Sequence, residues 1–296
     1  MAESKIRLGI SLGGQTGTAG FGEAVDTLEA AGVDSLWLSE LVYSPAVDPF
    51  IGMAHALART SKLKVGTGVS VLPGRNPVLV AKQLVTLAGL SPKRVLPVFG
   101  LQPARTAERE LFPVPPGRRA AVFDESLGLI RRLLSEDVVT FEGEFFTVDG
   151  VSLGERPAKP LDLWLGGSAP AGLRRVGRLA DGWLGSFLTP EQAGDAVMTI
   201  REAAAEAGRE IEPDHYGLSL AVAPNGIPED LAAAVRRRTP GADVAELVPG
   251  SWADTRRLLE RYIEAGLTKF VLRPAGPVPF NEFLDAFLGE ARVLQN

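Results

Sequence analysis

Gly166, Gly167 and Ser168 follow an apolar run and precede a helix-like pattern, in the stretch LDLWLGGSAPAG at 161–172. Glycines let a ligand approach the backbone closely. A helix start offers unpaired N–H groups at the positive end of its dipole. Together they suit an anionic group, above all a phosphate. The same residues also suit a plain strand-to-helix turn with Ser168 as the helix cap, and spacing alone leaves both readings open. Arg273 ends the last apolar run, just before Pro274. There it can grip a phosphate or carboxylate with two hydrogen bonds, or pair with a neighbouring acid. Glu40 ends another such run and could move a proton, hydrogen-bond a ring, or stand solvated in a loop.

Other chemistry is thinly represented. His55 sits among apolar neighbours in a helix pattern, which reads as structural, and His215 precedes a strand. Two scattered histidines do not make a metal site, and with no cysteine there are no disulfides or thiolate ligands. No GxSxG, Walker loop or HExxH occurs.

The elements that must position these residues alternate almost from end to end. Apolar runs at 6–10, 35–39, 64–71, 95–100, 161–165, 182–187, 217–222 and 270–272 read as strands. Helical spacing recurs between them, at Phe21, Val25, Leu28 and Ala31, over 49–59, and from Asn76 to Leu90. It returns at Phe123, Leu127, Ile130 and Leu134, and again from Ala169. Thr189, Pro190 and Gln192 make a capping box with proline at the first helical position. Two more helices follow near 229–238 and 252–265, and Phe280, Phe283, Leu284, Phe287 and Leu288 form a closing stripe.

Eight βα repeats with apolar strands predict an α/β fold, a (β/α)8 TIM barrel. An open doubly wound sheet is the alternative, but no GxGxxG follows the first strand. No composition shift divides the chain, so 1–296 is expected to be a single domain. Loop insertions are expected at 101–118, which is rich in proline, and at 138–160, which begins with a hairpin pattern. Function in such a barrel sits at the C-terminal ends of the strands. That shortlists Ser39 and Glu40, Ser70 and Val71, residues 100–103, Gly166 to Ser168, Ser186, Ala223 and Arg273. Few of these are acid–base groups. Such a mouth suits hydride transfer, in which a cofactor brings the chemistry and the protein supplies placement and dryness.

Composition sets the outer limits. The net charge is −5 with no basic run, which argues against a nucleic-acid partner. No run of about 18 apolar residues occurs, and MAESKIRLGISL has no signal-type apolar region. The expectation is a cytoplasmic protein, without a membrane partner, that acts on a small molecule.

Five segments, in order, resemble the bacterial luciferase-like family of flavin- and deazaflavin-dependent oxidoreductases. They are EAAGVDSLWLSE at 29–40, LKVGTGVSVLPGRNPVLVAKQLVTLAGLSPKR at 63–94, FDESLGLIRRLL at 123–134, PLDLWLGGSAPAGLRRVGRLADGWL at 160–184, and KFVLRP at 269–274. The ordered set is more specific than any one segment. The resemblance implies the same barrel, with FMN or coenzyme F420 as cofactor. It implies a non-proline cis peptide at Ser70–Val71, in a bulge that supports the cofactor's middle ring. It implies phosphate binding at Gly166, Gly167 and Ser168, and places Ser39 and Glu40 beside the ring. Arg75 and Asn76 match an RNP helix start, where a structural cap is the competing reading. The chain departs from the pattern at Leu41, where sugar-phosphate dehydrogenases of the family carry histidine. The GLQP end of the fourth strand lacks an acid, and Gln102 could hydrogen-bond a substrate without delivering a proton well. GVSVL leans towards the F420 branch. The implied activity is an F420-dependent oxidoreductase that passes hydride to or from a small organic substrate, with Glu40 and Gln102 at the reacting end. The alternatives are an FMN-dependent monooxygenase and a flavin-binding barrel without turnover. Family members are often dimeric, so a homodimer is expected.

Overall fold

The computed structural model describes residues 5–13, 17–157 and 159–296. Ten strands lie in one parallel sheet: β1 Arg7–Ser11, β2 Ser35–Leu38, β3 Lys64–Thr67, β4 Ser70–Val71, β5 Val95–Leu96, β6 Val98–Gly100, β9 Trp164–Gly166, β10 Gly182–Ser186, β11 Tyr216–Val222 and β12 Lys269–Pro274. Two others, β7 Val139–Glu142 and β8 Thr147–Val151, form an antiparallel hairpin. The helices are α1 Phe21–Ala30, α2 Pro49–Arg59, α3 Pro77–Leu90, α4 Arg119–Ser135, α5 Pro170–Leu179, α6 Pro190–Glu206, α7 Glu229–Arg238, α8 Val244–Leu247, α9 Trp252–Glu264 and α10 Phe280–Ala286.

The sheet closes on itself. β3 pairs with β2 and β5, while β4, which follows across residues 68 and 69, pairs with β6. β6 pairs with β9, and β12 pairs with β1. β3 with β4, and β5 with β6, each fill one barrel position. Eight positions complete the ring, as the βα count predicts.

Local chemistry accounts for the elements. Asp48, Asn76, Thr189 and Ser251 accept hydrogen bonds from the first-turn N–H groups of α2, α3, α6 and α9. Proline opens α2, α3 and α6. Leu8, Ile10, Leu36, Leu218, Phe270 and Leu272 point outward from the strands and pack in one core with helix residues such as Val25, Leu28, Leu84, Ile130 and Leu259. Alternate strand residues point the other way. Trp37, Val98, Trp164, Leu184 and Val271 meet inside the ring.

Three strands are interrupted or start late relative to their expected spans. The run at 95–100 breaks at Pro97, which has no N–H to give, although its carbonyl accepts from the Trp164 N–H at 3.1 Å. The run at 64–71 breaks where residues 68 and 69 leave the ladder. The fifth barrel strand starts at Trp164 rather than Leu161, because the Asp181 carboxylate takes the Leu163 N–H at 2.9 Å. Helix α8 is too short to show a period in sequence. The hairpin lies where expected. Glu125 of α4 pins its turn, accepting from the N–H groups of Glu144, Phe145 and Phe146 at 2.9, 2.8 and 2.7 Å.

Glu29, at the end of α1, fastens the segment that leads into β3. Its carboxylate accepts from the Ser61 N–H and hydroxyl at 2.9 and 2.8 Å, and from the N–H groups of Lys62 and Leu63 at 3.0 and 2.8 Å. Burial opposes its charge, but these donors outweigh burial and hold the carboxyl at about 2, down from 4.5. A depressed carboxyl stabilises the fold above its unfolded value, and that stability is lost as pH falls from about 4.5 towards about 2. Glu29→Gln is expected to cost about 1–2 kcal/mol at neutral pH, since solvent screens part of the effect at this partly exposed carboxylate. Tm measured against pH should show the gap between variant and wild type closing in that acid window.

Candidate functional site

Strand alternation delivers one ring of side chains to the barrel mouth. Beyond Trp37, Val98, Trp164, Leu184 and Val271, the next inward positions are Ser39, Gly100, Gly166, Ser186 and Arg273. Four of the five are glycine or serine. The mouth is therefore a bowl whose floor is apolar and whose one large inward side chain, among these five, is a cation.

Val69 forms part of the wall. A Cβ on Gly100 would lie 2.7 Å from Val69 Cγ2, and one on Gly166 would lie 2.7 Å from Val69 Cγ1. These contacts are closer than side chains tolerate, so the two glycines make the slot that Val69 fills. The tip of β2 grips the same bulge. The Ser39 hydroxyl donates to the Gly68 carbonyl at 2.8 Å, and the Glu40 N–H donates to the Val69 carbonyl at 3.2 Å. Glu40 Oε2 accepts from the Val71 N–H at 2.7 Å, and Oε1 pairs with Arg75. Glu40 is thus buried with both oxygens engaged by its own chain. Burial pushes its carboxyl above the usual carboxylate range, against the Val71 N–H and Arg75, which favour the charged form.

The cis peptide lies at Gly68–Val69, not at Ser70–Val71. Ser70 and Val71 are already back in the ladder opposite Phe99 and Gly100, whereas residues 68 and 69 stand between the two strand segments. Ser70 is fully buried with a hydroxyl that has no partner, and Val71 is also buried. Asn76 is the structural cap of α3, accepting from Val78 and Leu79. Gln102 is exposed beyond the end of β6.

At the fifth barrel position, Gly167 has φ +109°, with open space where a side chain would go. The Trp183 indole N–H fixes its carbonyl at 2.8 Å. Ser168 is exposed and is not the helix cap. Ala169 holds that position, and no side chain accepts from the α5 first turn. Proline at N1 has no N–H, so the Ala171 and Gly172 N–H groups lack a side-chain acceptor. The α5 start therefore stands without a side-chain cap beside the bowl, as the starts of α1, α4, α7 and α10 also do elsewhere.

Arg273 has no acid among the charges that act on it. Burial, then the nearby Arg238 guanidinium, draws it below its usual range. Arg238 ends α7 and lies 4.6 Å from the centre of the Phe187 ring. Three consecutive arginines at a helix end read as a solvated face, so sequence alone does not single out Arg238. Among the described residues no group of three or more histidines and carboxylates could hold a metal. His55 packs against Phe21, and His215 sits at the foot of the barrel against Trp164.

The family model described as luciferase-like monooxygenase matches residues 5–273. The chain belongs to this family. Among its luciferase-like relatives is an F420-dependent glucose-6-phosphate dehydrogenase of Nakamurella multipartita, 30% identical over 72% of this chain and 66% of that protein. An uncharacterised protein of Mycobacterium tuberculosis is 33% identical over 60% of each chain. The match therefore spans less than two thirds of the length of these curated relatives. In structure, the chain resembles an F420-dependent secondary alcohol dehydrogenase in complex with an F420-acetone adduct, with a TM-score of 0.79, 22% identity and coverage of 99% and 100%. It also resembles the oxygenating constituent of 3,6-diketocamphane monooxygenase from Pseudomonas putida, a type II Baeyer–Villiger enzyme with FMN, at TM-score 0.73, 16% identity and 99% coverage of both chains. These likenesses confirm the barrel.

Proposed function

We propose that this protein is a coenzyme F420-dependent oxidoreductase acting on a small organic substrate. The observation that carries the proposal is the bowl. It combines glycine and serine at the strand tips, an uncapped helix start on one side, and no free carboxylate or histidine among the inward residues named above. A flat, phosphate-bearing cofactor fits these residues. Gly100 and Gly166 let Val69 lie in the wall, where a Cβ on either would displace it. Gly167 leaves its surroundings open, and the Ala171 and Gly172 N–H groups suit a phosphate. When bound, F420 supplies hydride transfer at the deazaflavin C5. The chain's own residues do the placing. Gly166, Gly167, Ser168 and the α5 start would hold the phosphate, and Val69 would back the ring. Ser39 fixes the bulge from below, and Arg273 anchors an anionic group. The F420-dependent activities of the relatives support the choice of cofactor.

FMN is the second reading, supported by the structural likeness to an FMN-containing monooxygenase. Titration distinguishes the two. Quenching of F420 fluorescence by the protein should saturate, with FMN binding weaker. Tight FMN binding with no response to F420 would reject the proposal. Turnover on a panel of alcohols, enones and imines separates an oxidoreductase from a barrel that only binds flavin. Exposed Tyr43, Ile51, Leu79 and Leu111 lie on the loops and first helical turns around α2 and α3, which supports a homodimer through this face. No helix among the described residues is long and apolar enough to cross a membrane, and a cytoplasmic location fits the composition.

A further inference from the structure

Glu40 and Arg75 are more tightly built than the bowl requires. Glu40 Oε2 takes the Val71 N–H at 2.7 Å, while Arg75 Nε donates to the Val71 carbonyl at 2.9 Å. The same carboxylate and guanidinium then pair with each other. Val71 is thus held at both ends of its backbone by opposite charges. The guanidinium also lies 5.7 Å from the centre of the Phe50 ring and 5.5 Å from that of Phe112. Phe50 lies in the first turn of α2 and Phe112 closes the 3-10 turn Thr106–Leu111, so Arg75 links three elements around the bulge. The Glu40 side chain is 3% exposed and that of Arg75 27%, unlike the solvated ion pairs on the outer helices. A pair this enclosed leaves an uncompensated charge when one member is removed.

We propose that Glu40 and Arg75 are positioning residues, a charged clamp that sets the height of the Val69 wall against the cofactor ring. The proposal rests on the F420 reading. It moves Glu40 from proton carrier to support, since neither oxygen is free to meet a substrate. Two charged groups face Glu40. Arg75 comes from the segment before α3 and favours its ionised form, and Asp48 at the start of α2 opposes it. The clamp needs Glu40 ionised, because a protonated oxygen presents hydrogen to Arg75. Burial raises the carboxyl, so the clamp is complete above that raised value and loosens as pH falls through it. The fold responds with the opposite sign. A raised carboxyl takes up its proton more readily in the folded chain, so this titration does not destabilise the fold on acidification.

The experiment measures F420 affinity by fluorescence quenching from mildly acidic to neutral pH, with Tm alongside, for wild type, Glu40→Gln, Arg75→Met and Arg75→Lys. Amide exchange of the peptide spanning 68–75 is followed in the cofactor-free protein, corrected for intrinsic rates. Wild-type affinity is expected to fall on acidification. Arg75→Met should move the midpoint to higher pH, and Arg75→Lys should bring it back. Glu40→Gln should bind about tenfold more weakly at neutral pH, with that midpoint absent. Exchange over 68–75 should quicken in Glu40→Gln and Arg75→Met while the other barrel strands hold. Wild-type affinity, pH profile and 68–75 protection in Glu40→Gln would overturn the clamp. Loss of protection throughout the barrel would also overturn it, in favour of a merely structural pair. A wild-type chain that ignores F420 but shows the local exchange response would overturn the cofactor reading and support the clamp alone.

Discussion

Gly167→Asp is expected to weaken F420 binding about a hundredfold, the equivalent of roughly 3 kcal/mol of charge-assisted hydrogen bonding. Two effects combine. The carboxylate occupies the open space over Gly167, accepts from the α5 N–H groups and repels the phosphate that should rest there. An L side chain is also strained at φ +109°. Gly167→Asn separates the two, since it carries the same strain without the charge. The Asp variant should bind at least about tenfold more weakly than the Asn variant, and the gap should shrink in salt. Equal affinities for Asp, Asn and wild type would put the phosphate elsewhere.

Gly100→Ala tests the wall from the other side. The new methyl would lie 2.7 Å from Val69 Cγ2, so Val69 must leave its slot. Overpacking of this kind costs about 1–3 kcal/mol, which lowers Tm by roughly 2 °C or more per kcal/mol in a chain of this size. Cofactor affinity should fall further, about tenfold to a hundredfold, because the wall itself moves. The double variant Gly100→Ala with Val69→Ala removes the collision. It should recover Tm but not affinity, since the wall is now missing. Recovery of both would show that Val69 matters only for packing.

The closed barrel was legible because its signals are long. Alternating apolar runs and helical spacings recur eight times, and caps such as Asp48, Asn76 and the Thr189 box mark where helices begin. The open strand-exit turn at Gly166 and Gly167 was legible from its two glycines. What sequence could not supply was partnership. Glu40 reads as an acid at a mouth, and only geometry shows both of its oxygens taken by Val71 and Arg75. Arg75 reads as part of a helix start, yet it reaches back four residues to the Val71 carbonyl. The resemblance implied a bulge in this run but set it two residues late, at Ser70–Val71 rather than Gly68–Val69. Its signal was distributed over Gly100 and Gly166, which match Val69 only once the strands are laid side by side. Glu29 was similarly hidden, since its donors, mostly backbone N–H groups, lie more than thirty residues away.

The most direct measurement is a crystal structure of the protein grown with F420. The phosphate should rest on the backbone between Gly166 and the first turn of α5, with the deazaflavin ring against Val69 inside the ring of strands. A ring bound elsewhere, or a turn closed by side chains with no density for the phosphate, would contradict the central claim.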